Sequence, residues 1–175
     1  MSFAKGLAVL RAHLPKPFDK SHPLFVFIDP FGATGAPFTS VTEILNSPCS
    51  EVLINLDADG IARIFLAEEK AKSEETLTSI FGDSSWKTLP GKGSPFSVLC
   101  RAVLDLYKTR LRRLSNIRFV FAFEMQKTVG ALNYFLVFAS QHPLGLEKMK
   151  EAMKSIDQDG NYSFSDTSLN QPSLF

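Results

Sequence analysis

Short apolar runs that stop at polar or turn residues set the rhythm of this chain. The most regular is Leu24-Phe25-Val26-Phe27-Ile28, which ends at Asp29 and is followed by Pro30, Phe31 and Gly32. A run of that length between turn residues predicts a strand buried on both faces, as in parallel sheets. Glu51-Val52-Leu53-Ile54-Asn55-Leu56 repeats the pattern and also ends at polar groups, Asn55 and Asp57. Between the two runs, Gly32, Gly35 and Pro37 predict a loop with positive φ open to both glycines. Thr39 or Ser40 then caps a short helix to about Leu45, with Glu43 in its first turn, and Asn46-Ser47-Pro48 closes it. Strand, helix, strand implies a right-handed parallel crossover, which brings Asp29 and Asn55 to one carboxyl rim of the sheet. Ligands of open α/β sheets bind just beyond such strand ends, so this rim is the candidate site.

Helical periodicity flanks these strands. Phe3, Leu7, Leu10 and Leu14 mark a helix that Pro15-Lys16-Pro17 stops. Ile61, Ile64, Phe65, Leu77 and Ile80 mark a helical region over 60–81, whose charged middle, 68–75, is either a solvated face or a break between two helices. Gly82 to Trp86 forms a turn with Trp86 as a packing anchor. The loop 90–95 has glycines but lacks the spacing and the preceding strand of a phosphate-binding loop. A long helix spans 94–114 with Pro95 at its first helical position and an apolar stripe of Phe96, Leu99, Cys100, Val103, Leu106, Tyr107 and Leu111.

The two longest strand signals, 117–123 and 132–139, place Phe119, Phe121 and Phe123 on one face and Tyr134, Leu136 and Phe138 on another. Their link, 124–131 with Gly130, predicts an antiparallel hairpin. His142 and Pro143 end the second strand, His142 as a cap or packing residue. A helix over 144–156 turns Leu146, Met149, Met153 and Ile156 inward. Asp157 to Asn161 opens like a calcium loop, but Tyr162 and Ser168 stand where that loop needs Gly and Glu, so a polar turn is expected. The chain is therefore read as one α/β domain over 1–165 with a flexible tail over 166–175.

Composition adds little direction. Hydrophobic residues make up 45% and charged residues 21%, ordinary globular usage that excludes disorder as the default. The net charge of +1 gives no global attraction for nucleic acid or membrane. Lys108, Arg110, Arg112 and Arg113 cluster at the end of the long helix. They either answer its dipole or contact a nucleic-acid backbone. Cys49 and Cys100, without metal-type spacing, are read as two reduced, buried thiols. No apolar stretch approaches a membrane span and no signal peptide is evident, so a cytoplasmic protein is expected, with no metal site.

Two parallel strands with polar ends, a long helix, then an antiparallel hairpin resemble the C-terminal half of a class I S-adenosylmethionine-dependent methyltransferase. Asp29-Pro30-Phe31-Gly32 occupies the place of the Asp-Pro-Pro-aromatic motif of amino-methylating nucleic-acid enzymes. More specifically, the chain resembles the three-Cys-motif partner protein family, TcmP. The resemblance rests on Phe27 to Gly32, Val52 to Leu56 with Ile61-Ala62-Arg63, and Phe81-Gly82 with Trp86. It continues through Tyr107 before Leu111, Asn133 to Ser140, His142 to Leu146 with Met149, and Asp157 with Gly160.

The resemblance implies a partial Rossmann-like methyltransferase sheet, with parallel strands near 24–29 and 51–56 and a hairpin near 117–139, flanked by helices. In catalytic roles it implies Asp29 accepting a hydrogen bond from an exocyclic amino group, the Pro30 carbonyl as second acceptor and Phe31 stacking on an extruded base. Gly32 stands where those enzymes usually carry the stacking aromatic. Gly32 and Arg63 are implied substrate contacts and Asn55 a cofactor-side contact. The implied cofactor is S-adenosylmethionine. Family members hold it with an N-terminal half carrying a motif like Asp-x-Phe-Ala-Gly. About twenty residues precede the Asp29 strand, too few for the three strands and crossovers of that half. The expectation is a truncated form or one completed by a partner.

Two readings of function stand side by side: the substrate half of a methyltransferase, of nucleic-acid amino-methylation ancestry, or a non-catalytic partner-binding module on the same fold. The partners implied are a three-Cys-motif radical-enzyme-like protein and nucleic acid. The unpaired edge of the Asp29 strand predicts a homodimer or hetero-complex. The plain alternative for Asp29-Pro30 is an Asx-type turn.

Overall fold

The computed structural model describes residues 3–13, 23–30, 32–91, 93–114, 116–126, 134–156 and 163–165. The elements run α1 (Phe3–His13), β1 (Leu24–Ile28), α2 (Phe38–Leu45), β2 (Ser50–Leu56), α3 (Ala58–Leu66), α4 (Lys70–Phe81), a 3-10 turn (Ser84–Thr88), α5 (Phe96–Arg112), β3 (Phe119–Gln126), β4 (Tyr134–Ser140), α6 (Pro143–Ile156) and β5 (Ser163–Ser165). The five strands form one open sheet in the order β1-β2-β4-β3-β5. β1 and β2 are parallel, β4 is antiparallel to both β2 and β3, and β3 pairs in parallel with β5. The parallel crossover and the hairpin are thus both present. The short β5 was not foreseen.

Register sorts the side chains into two faces. Val26, Val52, Ala139 and Val120 align across the sheet on one face, and Phe27, Leu53, Phe138 and Phe121 on the other. The first face carries the main core, where Val52, Ile54, Phe135, Val137 and Ala139 pack with Val41, Ile44 and Leu45 of α2, Ile61 of α3 and Leu99, Val103 and Leu111 of α5. Its neighbours α2, α3, α4 and α5 supply apolar stripes at helical spacing, which is why they stack here rather than in solvent. The second face is smaller: α6 brings Leu146, Met149 and Met153 onto Phe121, Phe123, Leu136, Phe138 and Leu53.

That second cover stops short of β1. Phe25 and Phe27 are 51% and 54% exposed, whereas Ile28 is 2% exposed. The expectation of a strand buried on both faces is corrected here: β1 is an edge strand, covered on one side only. Among the described residues, no strand pairs with its outer edge.

Local chemistry fixes the ends of the helices. The Asp57 carboxylate accepts from the Gly60 backbone N–H at 2.8 Å and caps α3, and a side chain at position 60 would collide with that carboxylate. α4 stops at Gly82, whose φ of 79° lies in the left-handed region. Arg110 then ties the α4 end to α5. Its Nε donates to the Phe81 carbonyl at 2.9 Å, it pairs with Asp83 at 2.7 Å, and it lies 5.5 Å from the Phe38 ring centroid. Trp86 is buried and donates to Thr78 Oγ1 at 3.0 Å, the anchor expected of it.

Several details differ from expectation. α2 begins at Phe38 after Pro37 with no side-chain cap, so Thr39 and Ser40 lie inside it and Glu43 falls beyond its first turn. Gly32 has positive φ and Gly35 does not. The 60–81 region splits into α3 and α4, the break falling at 67–69. Pro95 is the cap of α5 rather than its first residue, Leu104 joins its buried stripe, and Phe96 is 38% exposed. β3 runs on to Gln126, because the alternation Phe123-Glu124-Met125 continues the pleat. Ile156 is exposed rather than turned inward. Cys49 is exposed with φ of 60°, while Cys100 is buried as expected. The hairpin link at 127–133, the turn at 157–161 and the tail at 166–175 lie outside the described residues.

Candidate functional site

The carboxyl ends of β1 and β2 meet as the crossover requires. Asn55 Nδ2 donates to Asp29 Oδ1 at 2.8 Å. Asp29 is exposed, and the Asn55 amide fixes its carboxylate from the neighbouring strand. Asn55 Oδ1 is buried without a hydrogen-bond partner among the described residues. Pro30, Asn55, Asp57, Ile80 and Tyr107 surround a cavity of about 20 Å³ behind the pair. Tyr107 is 2% exposed, and burial pushes its phenol well above the ordinary value, so it stays protonated. A cavity of that size takes one water and not a nucleoside.

Of the other expected site residues, Gly32 sits in the loop beyond Asp29 with φ of 72°, and the space a side chain would enter there is open. Phe31 lies outside the described residues. Arg63 is exposed on α3 and stacks on Phe96, 5.4 Å from the ring centroid; it makes no hydrogen bond or ion pair with Asp29 or Asn55. The structure thus joins Asp29, Pro30 and Asn55 and leaves Arg63 on a separate patch. Among the described residues, no group of His, Cys, Asp and Glu is placed to hold a metal ion.

A second cluster at the same rim escaped the sequence reading. Arg101 on α5 pairs with Glu124 of β3 and lies 5.2 Å from the Phe135 ring centroid on β4. These residues border a cavity of about 350 Å³ together with Asp105 and Lys108. The missing signal was Glu124, assigned to a loop when it continues a strand. The basic end of α5 is mostly spent within the fold: Arg110 is engaged as above, Arg112 donates to the Val120 carbonyl at 3.2 Å and Lys108 stands 3.8 Å from Asp105.

Comparisons with known proteins give no family: no protein-family model, no curated protein and no solved structure matches the chain. No helix among the described residues is long and apolar enough to cross a membrane.

Proposed function

We propose that this chain is a three-Cys-motif partner-like protein whose carboxyl rim is the substrate side of a methyltransferase-type sheet. The observation that carries the reading is the Asn55–Asp29 hydrogen bond at the ends of two parallel strands, followed in sequence by an antiparallel hairpin. The bond holds the carboxylate in one place while its second oxygen has no hydrogen-bond partner among the described residues, the arrangement needed to accept from an amino group. Asp29 and the Pro30 carbonyl are the acceptors in this reading. The cofactor of such chemistry is S-adenosylmethionine, which supplies an electrophilic methyl group. The 20 Å³ space beside the pair is too small to hold it.

A second reading rests on a different observation. Phe25 and Phe27 are half-exposed on an edge strand that bears no charge, which favours a partner-binding module without chemistry of its own. Calorimetric titration with S-adenosylmethionine, combined with a methyl-transfer assay on single-stranded nucleic acid, separates the two. Transfer that Asp29→Ala abolishes while cofactor affinity stays intact supports the first reading. No heat and no transfer at millimolar cofactor removes independent catalysis and leaves the second.

A further inference from the structure

The opposite end of the same strands holds a larger cavity, of about 480 Å³, within the usual range of small-molecule sites. It opens between the starts of β1 and β2 and the first turns of α6. Its walls include Pro23, Phe25 and Leu144, and one carboxylate, Glu51, lines it. Register places Phe25, Glu51 and Ser140 side by side in one row across β1, β2 and β4, all on the face that α6 only partly covers.

Glu51 is held there deliberately. The hydroxyl of Ser140, which is 0% exposed, donates to Glu51 Oε1 at 2.8 Å. Gly145 in the first turn of α6 makes room: a side chain at that position would collide with the Glu51 carboxylate. The Ser140 oxygen also accepts from the His142 backbone N–H at 3.0 Å, and the His142 carbonyl, also at 3.0 Å, competes with the nearer Glu51 for its one proton. Yet Glu51 has no cationic partner among the described residues. Lys148 lines the same cavity, but its ammonium stands 2.7 Å from Glu151 and makes no ion pair with Glu51. His142 is occupied too, its Nδ1 accepting from the Leu144 backbone N–H at 3.2 Å.

A half-buried carboxylate set among largely apolar walls, with no ion pair among the described residues, is costly unless something brings the charge. We propose that this amino-rim cavity binds an organic cation, an ammonium or guanidinium group on an apolar body, with Glu51 as its counter-ion. The apolar body lies against Leu144 and Pro23. Phe25, half-exposed, supplies an aromatic surface on which such a cation is attracted by the ring. The site is independent of the Asp29–Asn55 rim, from which the length of the strands separates it.

An NMR titration of the amide spectrum with hexylamine, hexanol and hexanoate tests this. Hexylamine is expected to shift the amides of 49–51 and 140–145, with the alcohol and the acid binding at least about tenfold more weakly, as one charge-assisted hydrogen bond requires. Glu51→Gln, nearly isosteric and still able to accept from Ser140, should weaken the amine by a similar factor and leave hexanol unchanged. Phe25→Leu gives a second handle that does not touch the buried network, and should weaken the amine more than the alcohol. Equal binding of amine and alcohol, or full amine affinity in Glu51→Gln, overturns the proposal. A lysine-bearing peptide in place of hexylamine then locates the source: tighter binding assigns the cation to a protein side chain, weaker binding to a free amine.

Discussion

Asn55 Nδ2 and Asp29 Oδ1 stand 2.8 Å apart, joining the ends of two strands whose residues are 26 positions apart in sequence. The bond does two jobs at once. It closes the rim of the parallel pair, and it engages one of the two carboxylate oxygens. Because Asp29 is exposed, the closure contributes modestly to stability. Asp29→Ala and Asn55→Ala should each cost about 0.5–1.5 kcal/mol, and the double variant less than the sum of the singles. Urea denaturation of the four proteins measures the coupling. Strict additivity would show the bond to be idle, and loss of a cooperative transition in Asp29→Ala would make the carboxylate structural rather than a site.

Two glycines with similar φ should respond differently to alanine. Gly32 and Gly82 have φ of 72° and 79°. At Gly32 a methyl group enters open space, so Gly32→Ala carries only the left-handed penalty, about 1 kcal/mol. At Gly82 the methyl would stand 2.6 Å from the Phe38 ring, and that ring is packed against Tyr107 at 5.8 Å between centroids. Strain and overpacking add, and Gly82→Ala should cost about 2–4 kcal/mol. Thermal melts of the two variants rank them. Equal losses would mean that Phe38 can move aside.

The two thiols should differ in reactivity. Cys100 is buried, donates to Asp59 at 3.2 Å, and is pushed up to about 12, chiefly by desolvation and then by the Asp59 carboxylate. Cys49 is exposed. Iodoacetamide at about pH 8, close to the ordinary thiol value, should therefore modify Cys49 in the native protein and spare Cys100. The raised value also sets a direction for stability. The folded form keeps a proton that the unfolded thiol gives up, so the contribution is complete below about pH 8.5 and declines as pH rises toward the folded value. Mass spectrometry of the alkylated protein decides the first point, and urea midpoints measured with rising pH, with Cys100→Ser as control, decide the second.

At acid pH the weak point should be the end of α4. Ser85 holds the Asp83 carboxyl below its usual range: the hydroxyl stands close without forming a bond of good geometry, and the backbone N–H donates at 2.8 Å; Arg110 adds to the effect. A lowered carboxyl stabilises the fold above its ordinary value and loses that contribution as pH falls through the folded value. The ion pair itself is partly solvated and contributes little. Arg110 matters more for the Phe81 carbonyl, which would lose a charged donor in a half-buried setting. Arg110→Ala should cost about 1.5–3 kcal/mol, and Arg110→Lys should fail to restore it, because one ammonium cannot replace the fork. Denaturation at neutral and acid pH tests both claims; a full rescue by lysine would reduce the role of Arg110 to charge alone.

How much of this could be read from sequence follows from what each signal depends on. The Asp29 and Asn55 strand ends were legible because their apolar runs stop at polar residues, and chain order alone places them at one rim. The hairpin was legible because both runs alternate, and their aromatic residues, Phe121 and Phe138 among them, can share one face. The unpaired edge of the Asp29 strand was legible too, but not the exposure of its second face, since Leu24 to Ile28 reads the same whether a neighbour covers Phe25 or not. Arg63 beside Arg101 shows the same limit: helical periodicity tells which face is apolar, not which rim group an exposed cation reaches. The Glu51–Ser140–Gly145 cluster depends on register between β2 and β4, 89 positions apart in sequence for Glu51 and Ser140, and no local pattern announces it.

The edge of β1 carries the last prediction. Phe25 and Phe27 project from an uncharged strand whose outer backbone groups pair with no described strand, and native edges of this kind are normally blunted by charge or proline. Such an edge drives association by adding backbone hydrogen bonds and burying two aromatic rings together. The wild-type chain should therefore self-associate, or capture a partner strand, at high micromolar concentration. Replacing both rings with serine should restore a monomer without lowering the melting temperature, because exposed positions contribute little to folding. Light scattering of the wild type and of Phe25→Ser/Phe27→Ser gives the answer. A wild-type monomer that melts cooperatively at these concentrations would mean that something on the same chain already shields the edge; a monomeric double variant that melts much earlier would mean that the two rings serve the core and not a partner.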